Sequence, residues 1–154
     1  MIMEIGEYIP NNLGIDGEGR LVNAAADYAH TPLIIYFYPK DNTPGCTAEA
    51  CSLRDGYARL RQMGYEIIGI SRDTPESHKR FAAKHSLPFT LLTDVTGEVC
   101  NDFGVWQLKK MAGREYMGIK RTTFITDSDH KLTHIIEKVN TKDAASQILA
   151  LLNA

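Results

Sequence analysis

The sequence predicts an α/β protein, a three-layer sandwich around a central mixed sheet. Three observations point there. Leu33-Ile34-Ile35-Tyr36-Phe37-Tyr38 is an unbroken apolar and aromatic run rich in β-formers, which suits a strand covered on both faces. A second buried-strand run, Tyr65 to Ile70, follows a stretch of helical spacing, so residues 33–70 read as a βαβ unit. Near the C-terminus, Arg121–Thr126 and Leu132–Lys138 read as antiparallel strands joined by the polar turn Asp127-Ser128-Asp129-His130, with a helix after them.

Taken in order, Leu13-Gly14-Ile15 and Arg20-Leu21-Val22 flank Asp16-Gly17-Glu18-Gly19, the pattern of an N-terminal β-hairpin over a glycine-rich turn. After the first buried strand, Pro39 has no amide hydrogen to donate and ends the ladder. Asp41-Asn42-Thr43-Pro44-Gly45 is a dense cluster of turn formers. Ala48, Leu53, Tyr57 and Leu60 then recur at helical spacing, and Gly64 is a natural stop. Thr74-Pro75-Glu76 opens a further helix, a capping hydroxyl followed by proline at the first helical position, and that helix should end near His85 before Leu87-Pro88. Thr90–Thr93 reads as a short strand and Thr96–Phe103 as a short helix closed by Gly104. The last helix is expected to be capped by Thr141 and to bury Ala145, Ile148, Leu149 and Leu152. No repeat, low-complexity tract or linker interrupts residues 1–154, which form one domain by this reading.

Composition narrows the function classes. With 17 basic and 19 acidic residues the net charge is −2, which suggests neither nucleic acid nor an anionic membrane as partner. No apolar run approaches the roughly 20 residues that span a bilayer, and the N-terminus lacks a signal-peptide layout. A cytoplasmic protein is expected. Three cysteines are too few and too oddly numbered for a secreted disulfide framework. No exposed apolar stripe is legible that would argue strongly against a monomer.

Chemistry concentrates in Pro39–Cys51, PKDNTPGCTAEAC, which holds two of the three cysteines. Cys46 falls in the first turn of the predicted helix, at the end of a strand where open α/β sheets place their sites. Free amide hydrogens and the positive end of the helix dipole converge there, and both favour a thiolate over a thiol. Cys51 lies five residues on. Within a helix that separation advances about 7.5 Å and turns about 500°, so the sulfurs point to different sides. A disulfide needs Cα atoms within roughly 7 Å. The pair reads either as two unrelated thiols or as a cycle in which the first helical turns unwind once Cys46 is oxidised to a sulfenic acid. A cation should complete such a site. Arg121, at the start of an otherwise apolar strand, must find a partner or reach a cleft, and Arg54 is its competitor. Glu49 reads either as part of the site's polar network or as an exposed helix-face carboxylate. Cys100 reads as core, Lys109-Lys110 as a solvated face, and the five histidines show no metal-ligand spacing with the cysteines.

Pro39-x-x-x-Thr43-x-x-Cys46 resembles the active-site motif of the peroxiredoxins. The fuller string Tyr38-Pro39-Lys40-Asp41-Asn42-Thr43-Pro44-Gly45-Cys46-Thr47-x-Glu49-Ala50-Cys51 is similar to the Q-type branch, the bacterioferritin comigratory protein subfamily. The likeness continues through Phe89–Asp94, Phe103–Trp106 and Tyr116–Ile125 and covers nearly the whole chain. It is weakest over the first 30 residues, where Asn12 stands in place of an aromatic residue usual two positions after the family's proline, here Pro10.

The resemblance implies a thioredoxin-like fold and a thiol-dependent peroxidase. Cys46 would be the peroxidatic nucleophile and Cys51 the resolving thiol, forming an intramolecular disulfide. Thr43, Pro39 and Arg121 would complete the catalytic set, with Gly45, Glu49 and Trp106 as candidate substrate contacts. Substrates would be hydrogen peroxide and organic hydroperoxides, the reductant thioredoxin or, as a lesser option, a glutaredoxin system. The chemistry calls for no metal or cofactor. Two other classes stay open: a thiol–disulfide oxidoreductase on the same fold, disfavoured by the absence of Cys-x-x-Cys, and a redox sensor that uses the same oxidation to change shape.

Overall fold

A computed structural model describes residues 1–153. Its elements in chain order are β1 (Asn12–Ile15), β2 (Leu21–Asn23), α1 (Ala24–Asp27), β3 (Leu33–Phe37), α2 (Pro44–Gln62), β4 (Glu66–Ser71), α3 (Pro75–His85), β5 (Thr90–Thr93), α4 (Glu98–Asp102), β6 (Trp106–Met111), β7 (Arg114–Ile119), β8 (Thr122–Thr126), β9 (Leu132–Ile136), a 3₁₀ turn (Thr141–Asp143) and α5 (Ala144–Leu152). Seven strands form one sheet in the order β2-β1-β5-β4-β3-β8-β9. β3, β4 and β5 run parallel, while β8 and β1 attach antiparallel to β3 and β5. The sheet is therefore mixed, as expected.

β3 shows how the layers arise. All five of its residues are buried, and they alternate. Ile34 and Tyr36 join Leu53, Leu60, Phe81 and Ile148, from helices α2, α3 and α5. Leu33, Ile35 and Phe37 turn the other way, to Leu13, Val99, Phe103, Phe124 and Ile119. A strand that is apolar at every position is what a sheet covered on both faces needs.

Helix boundaries follow their caps. Thr74 accepts a hydrogen bond from the Ser77 amide and Pro75 opens α3, as the sequence predicts. α2 stops at Met63, and Gly64 takes φ +95°, the left-handed conformation that ends helices. The cap expected at Thr141 is not formed. Thr141 lies in the 3₁₀ turn, and α5 begins one turn later, with Asp143 before it and no side-chain cap at either. Its buried face is Ala144, Ala145 and Ile148, with Leu149 and Leu152 partly covered.

A further hairpin, β6–β7, stands apart from the main sheet and has no counterpart in the sequence reading. Its two-residue turn, Ala112-Gly113, has φ +52° and +79°. Two positive φ values mark the type I′ turn that fits twisted hairpins. Leu108 pairs with Met117 across the ladder, and both are at least half exposed. An apolar pair thus faces outward where no such surface was expected. No helix is long and apolar enough to cross a membrane among the described residues.

α5 docks on α2 at one tight point. A Cβ on Gly56 would lie 2.5 Å from the Ala145 Cβ, so the absent side chain lets the helices approach. Glycine inside a helix costs about 1 kcal/mol relative to alanine, and here close packing offsets it. Gly56→Leu is expected to lower unfolding stability by about 2 kcal/mol, the scale of overpacking a tight contact. Urea denaturation checks this. A midpoint equal to that of the unsubstituted protein would show that α5 does not rest on that contact.

Candidate active site

The loop from Tyr38 to Thr43 leaves the C-terminal end of β3 and enters α2. Buried hydrogen bonds hold it from below. Tyr38 donates its hydroxyl to Asp41 Oδ1 at 2.6 Å, and Ser77 donates to Oδ2 at 2.8 Å. The Asp41 amide donates to Asp73 Oδ2 at 2.9 Å, and Ser71 donates to the same oxygen at 2.6 Å. His78 lies with Nδ1 2.8 Å from Asp41 Oδ2 and Nε2 3.0 Å from the Leu92 carbonyl. Both ring nitrogens have polar partners, so the ring is held from each side. Burial alone would raise the Asp41 pKa, but the hydrogen bonds from His78, Tyr38 and Ser77 outweigh it and the net shift is downward. Asp41, Asp73 and His78 bring ligand-type atoms within 4.8 Å of one another, yet the bonds just described already occupy them.

Thr43 is the N-cap residue of α2, Pro44 its first helical position, and Cys46 sits in the first turn. Thr43 makes no side-chain cap. Its hydroxyl donates instead to the Lys40 carbonyl at 2.9 Å, so the amides of Gly45 and Cys46 at the helix start have no capping side chain on them. Cys46 is 1% exposed and unpaired.

Arg121 meets it from the sheet side. Arg121 precedes β8, and the antiparallel register sets Thr122 against Phe37, the last residue of β3. The chain therefore leaves β3 toward Cys46 and enters β8 from Arg121 at one end of the sheet. Arg121 Nη2 donates to Cys46 Sγ at 3.4 Å, and Nη1 donates to Glu49 Oε1 at 2.7 Å. Burial disfavours the charged guanidinium, but the negative groups of Glu49 and Cys46 prevail and its pKa is raised. A Cβ on Gly45 would come within 3.2 Å of Arg121 Nη2, so glycine leaves room for the guanidinium.

Glu49 is fully buried rather than exposed on a helix face. Only Oε1 is bonded; Oε2 has no partner, nor does the nearby buried Tyr36 hydroxyl. Burial raises the Glu49 pKa to about 7 against the opposing pull of Arg121. Its carboxyl changes charge in the neutral range.

Other sequence candidates lie elsewhere. Arg54 bonds Asp55 and the His85 carbonyl, on the α3 side of α2, and is not the cation at Cys46. Trp106 packs against the core on the sheet face away from α2, under the Arg72 guanidinium at 5.5 Å. Pro39 is partly buried at the start of the loop. Cys51 is half-buried in α2 and unpaired. Cys100 is buried, and its thiol is pushed far up by burial and by Asp94. Lys109 was read as a solvated face, but it is partly buried near the site. Its pKa is lowered by burial and by Arg121, against the pull of Cys46, and Nζ donates to the Ile119 carbonyl at 3.0 Å.

Comparison with known proteins agrees with this geometry. Residues 5–135 match the AhpC/TSA family. The chain is 42% identical to peroxiredoxin Bcp of Bacillus subtilis, over 99% of this chain and 96% of that protein. It is 40% identical to peroxiredoxin Bcp of Escherichia coli K12, over 96% and 94%. A bacterioferritin comigratory protein from Xanthomonas campestris, solved in a study of alkyl peroxide reduction, superposes with a TM-score of 0.82 at 33% identity, covering 90% of this chain and 88% of that one. PrxQ from Xylella fastidiosa, solved as a cysteine-to-serine mutant, gives 0.89 at 29% identity, over 99% and 97%. A thiol at a helix start, an arginine bonded to it and full-length kinship converge: the chain belongs to the AhpC/TSA family and is a thiol-dependent peroxidase of the Bcp/PrxQ peroxiredoxins.

Proposed function

We propose that this chain reduces hydrogen peroxide and organic hydroperoxides at Cys46, forms a Cys46–Cys51 disulfide, and is recharged by thioredoxin. The observation that carries the reading is the 3.4 Å bond from Arg121 to a sulfur in the first turn of α2. The alkyl peroxide reduction named for the Xanthomonas relative supports the organic substrates.

In the first step the Cys46 thiolate attacks one peroxide oxygen. The S–O bond forms, the O–O bond breaks, and the displaced alkoxide or hydroxide takes a proton to leave as alcohol or water. Negative charge moves from sulfur to two oxygens, so donors fixed along that axis lower the barrier. Arg121 and the amides of Gly45 and Cys46 are such donors. Thr43, whose own proton is engaged by Lys40, offers an oxygen lone pair to the peroxide hydrogen. Pro39 and Pro44 stiffen the loop around the reacting atoms. In the second step α2 unwinds between the cysteines, the Cys51 sulfur displaces the sulfenic oxygen as water, and a disulfide results. A dithiol reductant then restores both thiols.

Three proteins test the cycle in a coupled assay with thioredoxin, its reductase and a nicotinamide reductant. Cys46→Ser is expected to be inactive. Cys51→Ser is expected to oxidise once and stop. Arg121→Ala should retain a slow peroxide reaction, lowered about a hundredfold, the scale of losing one preorganised donor. If thioredoxin fails while a glutaredoxin system supports turnover, the reductant is the latter; if no dithiol supports turnover, the sensor reading replaces the cycle.

Glu49 gives a stability test. Its folded pKa of about 7 lies above the ordinary 4.5. The native state therefore binds the proton more tightly than the unfolded chain, and this favours folding fully below about pH 4.5 and fades as pH rises to 7. Glu49→Gln keeps an acceptor for Arg121 and removes the titration. Relative to the parent, the variant is expected to gain up to about 3 kcal/mol between pH 4.5 and 8. Urea unfolding at both ends reads this, and a pH-independent difference would refute it.

A further inference from the structure

The peroxide step leaves one cluster of reactive side chains unused. Five residues beyond Cys46, the turn of α2 directs Cys51 toward α3, where its Sγ lies 3.8 Å from His85 Nδ1. The His85 ring is set edge-on against Phe81, with centroids 5.2 Å apart, which fixes the direction of its nitrogens. Arg54, one turn after Cys51, donates from Nη1 to the His85 carbonyl at 2.9 Å and so ties α2 to the end of α3. Arg54 also pairs with Asp55 at 3.0 Å. Its raised pKa reflects first that partner and then the Cys51 sulfur. Thiol, imidazole and guanidinium meet here, on a side of α2 that the peroxide step does not use.

We propose that His85 is the general base of the resolving step, taking the proton from Cys51 while α2 is still folded. This rests on the reading of Cys51 as the resolving thiol. With Nε2 carrying the ring hydrogen, Nδ1 is free to accept from S–H. The S–H bond breaks, Nδ1 gains the proton, and an imidazolium forms in the last turn of α3. Positive charge is favoured at that end of a helix, where unsatisfied carbonyls collect. The charged groups around it are Arg54 with Asp55 on α2 and Lys84 beside it on α3. Arg54 favours the thiolate left behind.

When α2 opens, the Cys51 thiolate attacks the Cys46 sulfur. The S–S bond forms, the S–O bond breaks, and hydroxide leaves with a proton as water; that proton is the one held by His85. Cys46 is reduced from sulfenic acid to disulfide and Cys51 is oxidised from thiol to disulfide, so electrons and atoms balance without a further reactant. The thiolate is the nucleophile in such exchanges, so its supply sets the rate.

The test separates this role from packing. In a Cys46→Ser background, the alkylation of Cys51 by iodoacetamide at pH 7, counted on the Cys51 peptide, should fall about tenfold with His85→Gln, a modest effect for loss of a general base. In the Cys46-containing protein, His85→Gln and His85→Ala should leave the first oxidation by hydrogen peroxide unchanged and slow disulfide formation about tenfold. The longer-lived sulfenic acid should then collect more sulfinic acid per turnover. Added imidazole should restore disulfide formation in His85→Ala, which a packing role would not allow. Unchanged alkylation and unchanged disulfide formation in both variants would overturn the proposal. If the unsubstituted protein oxidises at Cys46 but mass spectrometry finds no Cys46–Cys51 linkage, the resolving assignment itself fails and takes this role with it.

Discussion

A guanidinium and a sulfur 75 residues apart in sequence are held 3.4 Å apart, and the rest of the molecule serves that contact. The constraint is one of register. β3 and β8 are hydrogen-bonded neighbours running opposite ways, with Phe37 across from Thr122. Whatever follows β3 and whatever precedes β8 must meet at the same sheet end. A slip of one residue would send Phe124 and Ile125 each into the other's cluster, on the wrong side of the sheet, so the packing that fixes the sheet also fixes Arg121 over Cys46. Gly45 completes the fit, because any side chain there would crowd the guanidinium.

A cycle that forms a disulfide between two residues of one helix needs a helix that is firm in most places and weak in one. The distribution of contacts has that form. Below the loop, Asp41 is bound by Tyr38, Ser77 and His78, and leaving a buried carboxylate without its hydrogen-bond partners is destabilising. Farther along α2, Leu53 and Leu60 are fully buried against the sheet and α5. Between these anchors the first turn has a cap residue whose hydroxyl points away from the helix and no acidic side chain to complement the dipole. Local opening draws on the least stable units of a fold. The weakly capped turn carries Cys46, and because Cys46, Glu49 and Ala50 are buried, any unwinding there takes them out of the packing beneath α2.

Much of this was legible in the chain because the decisive signals were local. A continuous apolar run, a hydroxyl followed by proline at Thr74-Pro75 and the turn cluster before Cys46 each depend on few neighbours, and each element appears within a residue or two of its expected place. What escaped depended on distant partners. Arg121 was preferred over Arg54 as a charge opening an apolar strand, but its distance to the thiol comes only from the β3–β8 register. Glu49 looked as much like a surface carboxylate as a site residue until α2 was seen to turn it inward. The hairpin β6–β7 was missed because its strands mix polar and apolar residues without alternation and its turn is Ala-Gly, not the Asn-Gly or Asp-Gly pair that announces a type I′ turn. Thr141 failed as a cap because a 3₁₀ turn intervenes before α5.

The missed hairpin changes the electrostatics of the site. It brings Lys109 close enough to Arg121 and Cys46 to feel both, with its ammonium held by the Ile119 carbonyl. Repulsion between the two cations and partial burial both work against charge on Lys109, and a negative sulfur works for it. Glu49 holds the other side of the Arg121 guanidinium, with Nη1 2.7 Å from its Oε1 while Nη2 lies 3.4 Å from Cys46 Sγ. One cation is thus shared between the sulfur and a carboxyl, and the hairpin sets a second cation beside it.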